Sequence, residues 1–104
     1  MPTAGNLYML DENGDAFETT DPSGWETWFK QSAQQRIVAQ DTVGVAQIST
    51  VFLAVNHNFS GGVPLLWETM VFGGTMDGET ERYTDKEAAI NGHKVMCSAV
   101  TEAC

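Results

Sequence analysis

Four polar side chains have types and spacings that could bind a small ligand: Thr50, His57, Glu68 and Arg82. In this interpretation, His57 and Arg82 face negative charge on the ligand, whereas Thr50 and Glu68 contact hydroxyl groups or base edges. A nucleotide-like molecule has groups of both kinds. The same interpretation assigns no catalytic residue, no metal ligand and no cofactor.

Glu68 is the least expected of these residues because it lies within an apolar run, 65–72. A carboxylate in such a run is costly unless it is paired or hydrogen-bonded. In the predicted register of the hairpin formed by the strands 45–55 and 64–72, Thr50 lies opposite Glu68. Arg82 or Tyr83 on the next strand are further possible partners of Glu68. Two interpretations remain open: a satisfied polar pair on a partly wet sheet face, or a polar spot on an open face that receives a ligand.

A second chemical hypothesis is a small metal-assisted hydrolase that uses His57, Glu68 and His93. His57 lies in a loop, and loops on a rigid scaffold often carry function. The three residues are scattered along the chain, however, without HExxH or another metal-ligand spacing. The position of His93 on the inner stripe of the last predicted helix favours a hydrogen-bonded core histidine.

No sequence motif of a known catalytic machinery is present. The chain lacks the GxSxG, Walker and GxGxxG patterns. Cys97 and Cys104 form neither a CxxC metal pattern nor a disulfide framework, which fits the reducing cytoplasm. The sequence therefore favours a non-enzymatic protein of the cytoplasm.

The candidate residues depend on a predicted α+β fold of one domain, 1–104. Asp21 and Pro22 mark the start of a first helix, and Thr84 and Glu87 form a capping box before the last. Short-linked strands indicate an antiparallel β-sheet, with a helix near the N-terminus and a C-terminal helix packed on one face. The predicted elements are strands at 7–10 and 17–19, a helix at 22–34, strands at 36–43, 45–55, 64–72 and 79–83, and a helix at 85–100.

The strand 45–55 alternates between two sets of side chains. One set contains Ala46, Ile48, Thr50, Phe52 and Ala54, and these residues are predicted to face one side of the sheet. The residues between them face the other side. Together with the return strand 64–72, this strand forms the long hairpin on which the domain is predicted to be built.

The charge of the chain restricts its partners. There are 14 Asp and Glu residues against 5 Lys and Arg, a net charge of −9. Direct binding of nucleic acid or of an anionic membrane is disfavoured because both need basic residues. A basic protein partner remains compatible with this surface. The first ten residues show no signal-peptide pattern, and no apolar stretch is long enough to span a membrane.

Two segments resemble a known group of proteins. Residues 49–59 read STVFLAVNHNF and residues 64–74 read PLLWETMVFGG; Asp77-Gly78-Glu79, Arg82-Tyr83 and Gly92-His93 follow. These residues are similar to a widespread family of small uncharacterised phage, prophage and bacterial proteins with the pattern STVFLG-DHNF…PLLFETMVFGG…RY…GH. The chain departs from that pattern at Ala54, Asn56 and Trp67, where Gly, Asp and Phe are usual. The resemblance implies a phage or mobile-element setting.

Three functional hypotheses follow from these observations. The leading one is a non-enzymatic binding module, a phage-type accessory or counter-defence protein that binds a host protein or sequesters a nucleotide-like ligand. The second is the metal-assisted hydrolase that uses His57, Glu68 and His93. The third is a structural homo-oligomer that pairs through sheet edges.

Overall fold

The structure, a computed structural model, describes residues 6–103. This part of the chain contains eight helices and strands. Strands β1 and β2 form an antiparallel hairpin, and β3 to β6 form a four-stranded antiparallel sheet in the order β3-β4-β5-β6. The predicted α+β class is confirmed. The elements are β1 (Leu7–Leu10), β2 (Ala16–Thr19), α1 (Pro22–Gln31), β3 (Ile37–Val43), β4 (Ala46–Phe52), β5 (Trp67–Phe72), β6 (Thr80–Tyr83) and α2 (Lys86–Ala103).

Helix α1 begins at Pro22 as predicted, although it ends at Gln31, before the predicted residue 34. Helix α2 continues to Ala103, beyond the predicted end near residue 100. The capping-box prediction was wrong about the capping residue. It is Asp85, and not Thr84, whose side chain accepts a hydrogen bond from the backbone N of Ala88, at 2.7 Å.

Both helices pack on one side of the four-stranded sheet, here called the inner face. Helix α2 contacts all four strands. Trp28 of α1 meets the ring of Phe52 edge-on, with the ring centroids 6.2 Å apart. The predicted alternation of β4 is confirmed, because its inner-face residues are buried between less buried neighbours. The inner face carries Ala46, Ile48, Thr50 and Phe52 of β4 and Trp67, Thr69 and Val71 of β5.

The apolar core on the inner face is divided into two clusters by a polar layer. The polar layer consists of Thr50, Thr69 and His93, all buried. Each of these lies between apolar residues of its own element, so the layer crosses β4, β5 and α2 at one level. The first cluster contains Leu10, Phe52, Ala54, Leu66, Trp67 and Ala89, and the second contains Ala46, Ile48, Val71 and Val100.

The predicted register of the β4–β5 hairpin was wrong by one residue. Thr50 lies opposite Thr69, and Glu68 lies opposite Val51 on β4 and Arg82 on β6. A slip of one residue moves a side chain to the other side of the sheet, so Glu68 projects from the outer face and not beside Thr50. The register could not be inferred from turn chemistry because the strands are joined by a long connection, residues 53–66, instead of a tight turn.

The long connection begins with a sharp change of backbone direction. Ala54 has a φ of 65°, in the left-handed region that glycine adopts more easily. Its carbonyl accepts hydrogen bonds from the backbone N of Tyr8, at 2.9 Å, and from Nε1 of Trp25, at 3.1 Å. Val55 then pairs with Leu7. The apolar residues beyond Phe52 therefore pack with the N-terminal hairpin and α1, and do not extend β4.

Candidate functional site

A chain of hydrogen-bonded side chains runs through the polar layer of the core. His93 is 4% exposed, and both of its ring nitrogens are bonded. Its Nε2 lies 2.7 Å from Oδ2 of Asp41 on β3, and its Nδ1 lies 2.7 Å from Oγ1 of Thr50. Thr50 is bonded in turn to Thr69, whose Oγ1 accepts a hydrogen bond of 3.0 Å from the hydroxyl of Tyr83. The prediction of a hydrogen-bonded core histidine is confirmed.

The bonding capacities of these groups give the chain a direction. An ionised carboxylate only accepts hydrogen bonds, so the proton of a neutral His93 lies on Nε2 and is donated to Asp41. The Nδ1 atom then accepts the hydrogen bond of Thr50, and Thr50 accepts that of Thr69. Tyr83 supplies the last donor. Burial raises the pKa of Tyr83, the hydrogen bond to Thr69 partly offsets this, and the charge of Glu81 adds to the rise.

The carboxylate–imidazole–hydroxyl arrangement of Asp41, His93 and Thr50 has the composition of a catalytic triad. A nucleophile must reach its substrate, but the side chain of Thr50 is 0% exposed. Its hydroxyl is also committed to both His93 and Thr69. The arrangement therefore satisfies the buried polar groups of His93 and Thr50 and positions the imidazole, with the exposed carboxylate of Asp41 at its outer end.

Glu68 and Arg82 form an ion pair on the opposite, outer face of the sheet. Nε of Arg82 donates to Oε2 of Glu68 at 2.9 Å, and the two side chains are 14% (Glu68) and 43% (Arg82) exposed. Arg82 was one of the partners predicted for Glu68, and that pairing is confirmed. The predicted partnership with Thr50 is not present, because the register places Thr50 on the inner face.

His57 lies in the connection 53–66, where hydrogen bonds hold the backbone. Its Nδ1 bonds the carbonyl of Val55 at 2.8 Å, and its backbone N donates to Leu65 at 3.0 Å. Its ring centroid lies 5.9 Å from that of Phe59, which is 86% exposed. The loop therefore exposes an aromatic side chain to solvent on a backbone that hydrogen bonds hold in place.

The four predicted ligand residues do not form one cluster. Thr50 belongs to the inner polar layer, Glu68 and Arg82 to the outer face, and His57 to the loop. Their role in ligand binding stays a prediction. An open groove of about 410 Å³ elsewhere, between the N-terminal hairpin and the start of α2, is lined by none of them. Its lining includes Tyr8, Leu66 and Trp67 with Asp15, Asp85 and Lys86.

The predicted metal set His57, Glu68 and His93 is not assembled either. Within residues 6–103, the group of ligand atoms that comes close enough to hold a metal ion belongs to Asp41, His93 and Cys97, all within 4.8 Å of one another. Burial raises the pKa of the Cys97 thiol, and the charge and hydrogen bond of Asp41 raise it further.

The sequence interpretation missed Asp41, Thr69 and Cys97 as members of this site. It gave Tyr83 as a possible partner of Glu68, whereas the hydroxyl of Tyr83 bonds to Thr69. The only available signal was the four-residue spacing of His93 and Cys97, which places both on one side of a helix. Asp41 could be found only from the pairing of β3 with β4, which sets Asp41 opposite the buried Ile48.

Comparisons with known proteins give no relative from which a role could be transferred. No family model, no curated protein and no solved structure matches the chain. Among the helices of residues 6–103, neither has the length and hydropathy needed to cross a membrane.

Proposed function

We propose that this protein is a non-enzymatic binding module that engages a partner protein through the loop between β4 and β5. The observation that carries the proposal is Phe59, an aromatic side chain that is 86% exposed at the tip of a braced loop. Val63, close by in the chain, is 64% exposed. Exposed aromatic side chains are among the residues that dominate binding energy when they enter a pocket on a partner.

Hydrogen bonds within the loop support this role, because a loop that is already ordered loses less conformational entropy on binding. Oδ1 of Asn56 accepts hydrogen bonds from the backbone N of Asn58, at 2.8 Å, and of Leu65, at 3.1 Å. Nδ2 of Asn58 donates to the carbonyl of Val63 at 2.8 Å. The two asparagines thus tie the outgoing and returning halves of the loop together below Phe59.

The charge of the chain indicates what kind of surface surrounds the pocket on the partner. With 14 acidic against 5 basic side chains, the module attracts a partner whose contact surface is rimmed by Lys and Arg. The loop from Asn56 to Pro64 contains no Asp, Glu, Lys or Arg. An uncharged, partly apolar tip on an acidic body suits an apolar pocket with a basic rim. The family resemblance would make that partner a host protein, and the module a phage-type accessory or counter-defence protein.

The alternatives gain less support from the geometry. A hydrolase that used His57, Glu68 and His93 would need side chains that have separate partners here. A nucleotide-like ligand would have to draw Arg82 away from Glu68, in a chain with few other cations. The oligomer hypothesis finds one supporting feature, the seven-residue edge strand β3, although its bulge after Ile37 and the charge of Asp41 both discourage edge pairing.

The test is site-specific crosslinking in cells that carry the gene. A photoreactive phenylalanine analogue replaces Phe59 in one variant and Phe17 in a control, because Phe17 is also exposed, at 44%, but lies on the N-terminal hairpin. We expect one discrete crosslinked protein from position 59 and none from position 17. With the purified partner, Phe59→Ala should weaken binding at least about tenfold, the loss of a modest hot spot.

Four outcomes would overturn the proposal. Equal crosslinking from both positions would indicate non-specific contact. Unchanged affinity in Phe59→Ala would remove the loop from the interface. A thermal shift with nucleotides that disappears in Arg82→Ala would favour ligand sequestration instead. Native mass spectrometry that found only homo-oligomers would favour the structural hypothesis.

A further inference from the structure

We infer that Asp41, His93 and Cys97 form a binding site for a single transition-metal ion of the Zn²⁺ type, at the edge of the sheet where β3 meets α2. The site is independent of the loop proposed to bind a partner. His93 and Cys97 lie four positions apart on α2, one helical turn, and therefore face the same side. Asp41 reaches them from the neighbouring strand.

The distances are close to those of a coordination sphere. Oδ2 of Asp41 lies 2.7 Å from Nε2 of His93 and 3.9 Å from Sγ of Cys97. In a tetrahedral zinc site, with bonds of about 2.0–2.3 Å, neighbouring ligand atoms lie about 3.3–3.6 Å apart. The carboxylate would thus move slightly away from the imidazole and towards the thiol. Such a movement is available to Asp41 because its side chain is 60% exposed.

The donor set selects the class of metal. A carboxylate oxygen, an imidazole nitrogen and a thiolate sulfur suit Zn²⁺ and the similar ion Co²⁺, whereas Mg²⁺ and Ca²⁺ prefer oxygen ligands alone. The thiol proton of Cys97 is released to solvent when the sulfur binds the ion, so metal binding releases one proton per chain. Three protein ligands leave the fourth tetrahedral position for water or for a donor from another molecule. The two anionic ligands would balance the charge of a divalent ion.

The surroundings of His93 meet a second requirement of metal sites. A metal-binding histidine needs a partner for its other ring nitrogen, which fixes the orientation of the ring. Nδ1 of His93 has that partner in Thr50, whose hydroxyl can accept as well as donate. When Nε2 binds the metal, its proton moves to Nδ1, and the hydrogen bonds of Thr50, Thr69 and Tyr83 reverse direction. After that reversal Nδ1 of His93 and the hydroxyls of Thr50 and Thr69 still bond to one another, and the freed hydroxyl hydrogen belongs to Tyr83, which is only partly buried.

The experiment is a titration of the full-length, chelator-treated protein with Co²⁺, followed by displacement with Zn²⁺. We expect one Co²⁺ per chain and a near-ultraviolet charge-transfer band from a thiolate–cobalt bond. Cys97→Ser should abolish the band, and Asp41→Asn should weaken binding at least tenfold. Cys104→Ser, which removes the other thiol of the chain, and Asp15→Asn, which removes a different carboxylate, should leave both band and affinity unchanged.

A measurement on the unaltered sequence guards against variants that fail to fold. Zn²⁺ should slow alkylation of Cys97 by iodoacetamide at least tenfold, as mapped by peptide mass spectrometry, without comparable protection of Cys104. Binding of no ion, a thiolate band that survives Cys97→Ser, or equal alkylation with and without Zn²⁺ would each overturn the inference. None of these outcomes bears on the loop, because the crosslinking at position 59 is measured separately.

Discussion

The two faces of the four-stranded sheet place similar polar groups in opposite circumstances. On the inner face, the hydroxyls of Thr50 and Thr69 are completely buried and bonded to each other. On the outer face, Glu68 and Arg82 carry full charges but remain partly exposed as a single ion pair. Buried neutral groups cost free energy when a partner is lost, whereas an ion pair with a solvent-exposed partner, here Arg82, is screened and contributes less to stability. The less conspicuous residues of the sequence therefore have the stricter structural role.

The same substitution on the two faces should give the largest contrast. Phe52 is 0% exposed on the inner face, and Phe72 is 49% exposed on the outer face. We expect Phe52→Ala to lower the free energy of unfolding by about 3–5 kcal/mol, because it leaves a cavity in the core. Phe72→Ala should cost less than about 1 kcal/mol, as for most surface substitutions. Urea unfolding of both variants measures the difference, and equal losses would contradict the assignment of the faces.

Removal of one hydroxyl should have a smaller effect that tests the register itself. Thr50→Val keeps the shape of the side chain but leaves the buried Nδ1 of His93 without its partner and removes the acceptor of the Thr69 hydroxyl, at a cost of about 1–3 kcal/mol. The control is Ser49→Ala on the outer face, where the hydroxyl accepts only from Gln40 and is partly exposed. We expect a loss of a few tenths of a kcal/mol for the control. If thermal and urea unfolding gave the reverse order, the register would be shifted by one residue.

Two helical glycines should respond oppositely to alanine. A Cβ at Gly92 on α2 would overlap the ring of Tyr83, and a Cβ at Gly24 on α1 would meet the end of the exposed Asp21 side chain, which can turn away into solvent. We expect Gly92→Ala to lose about 1 kcal/mol, because overpacking exceeds the gain in helix propensity. Gly24→Ala should gain up to about 1 kcal/mol. A stabilising Gly92→Ala in differential scanning calorimetry would show that Tyr83 can be displaced from the end of the polar layer without penalty.

The outer ion pair should give the smallest effect. Glu68→Gln keeps the size of the side chain and removes its charge, and we expect a loss of about 0.2–1 kcal/mol. Added NaCl should reduce the difference between this variant and the original chain, because salt screens exposed charges. Unfolding at low and high salt makes the comparison. A salt-independent loss above about 2 kcal/mol would show that solvent does not screen the pair, contrary to the 43% exposure of the Arg82 side chain.

Local sequence patterns predicted the elements of the fold well. Alternation identified the two sides of β4, and Asp21 with Pro22 marked the start of α1. These features depend on residues that are close together in the chain, for which periodicity and the preference of Pro for the first helical position are sufficient. Capping chemistry was less reliable, since Asp21 makes no side-chain capping hydrogen bond and Asp85 caps α2 in place of Thr84. The candidate site depends instead on which strands are neighbours and in which register.

Long-range pairing explains what the sequence did not reveal. Thr50 was singled out from the sequence, but the partner given to it was Glu68, one position away from Thr69. That error could not be corrected locally, since the strands are joined by the long loop from Leu53 to Leu66 and not by a two-residue turn that would set the register. Asp41 and Cys97 lie 56 positions apart in the sequence, and a single sequence gives no signal for their contact in the fold.

The unequal connections on either side of β4 have a consequence for the order of folding. Gly44 and Val45 alone join β3 to β4, and Gly44 has the positive φ, +59°, that a tight turn requires. A hairpin of this kind forms within about 1–10 μs, whereas closure of the longer connection to β5 costs more entropy. We therefore expect the β3–β4 hairpin to be structured in the folding transition state, while Phe59 and its loop become ordered only on the native side of the barrier. Substitutions at the turn should slow refolding, and substitutions in the loop should mainly accelerate unfolding.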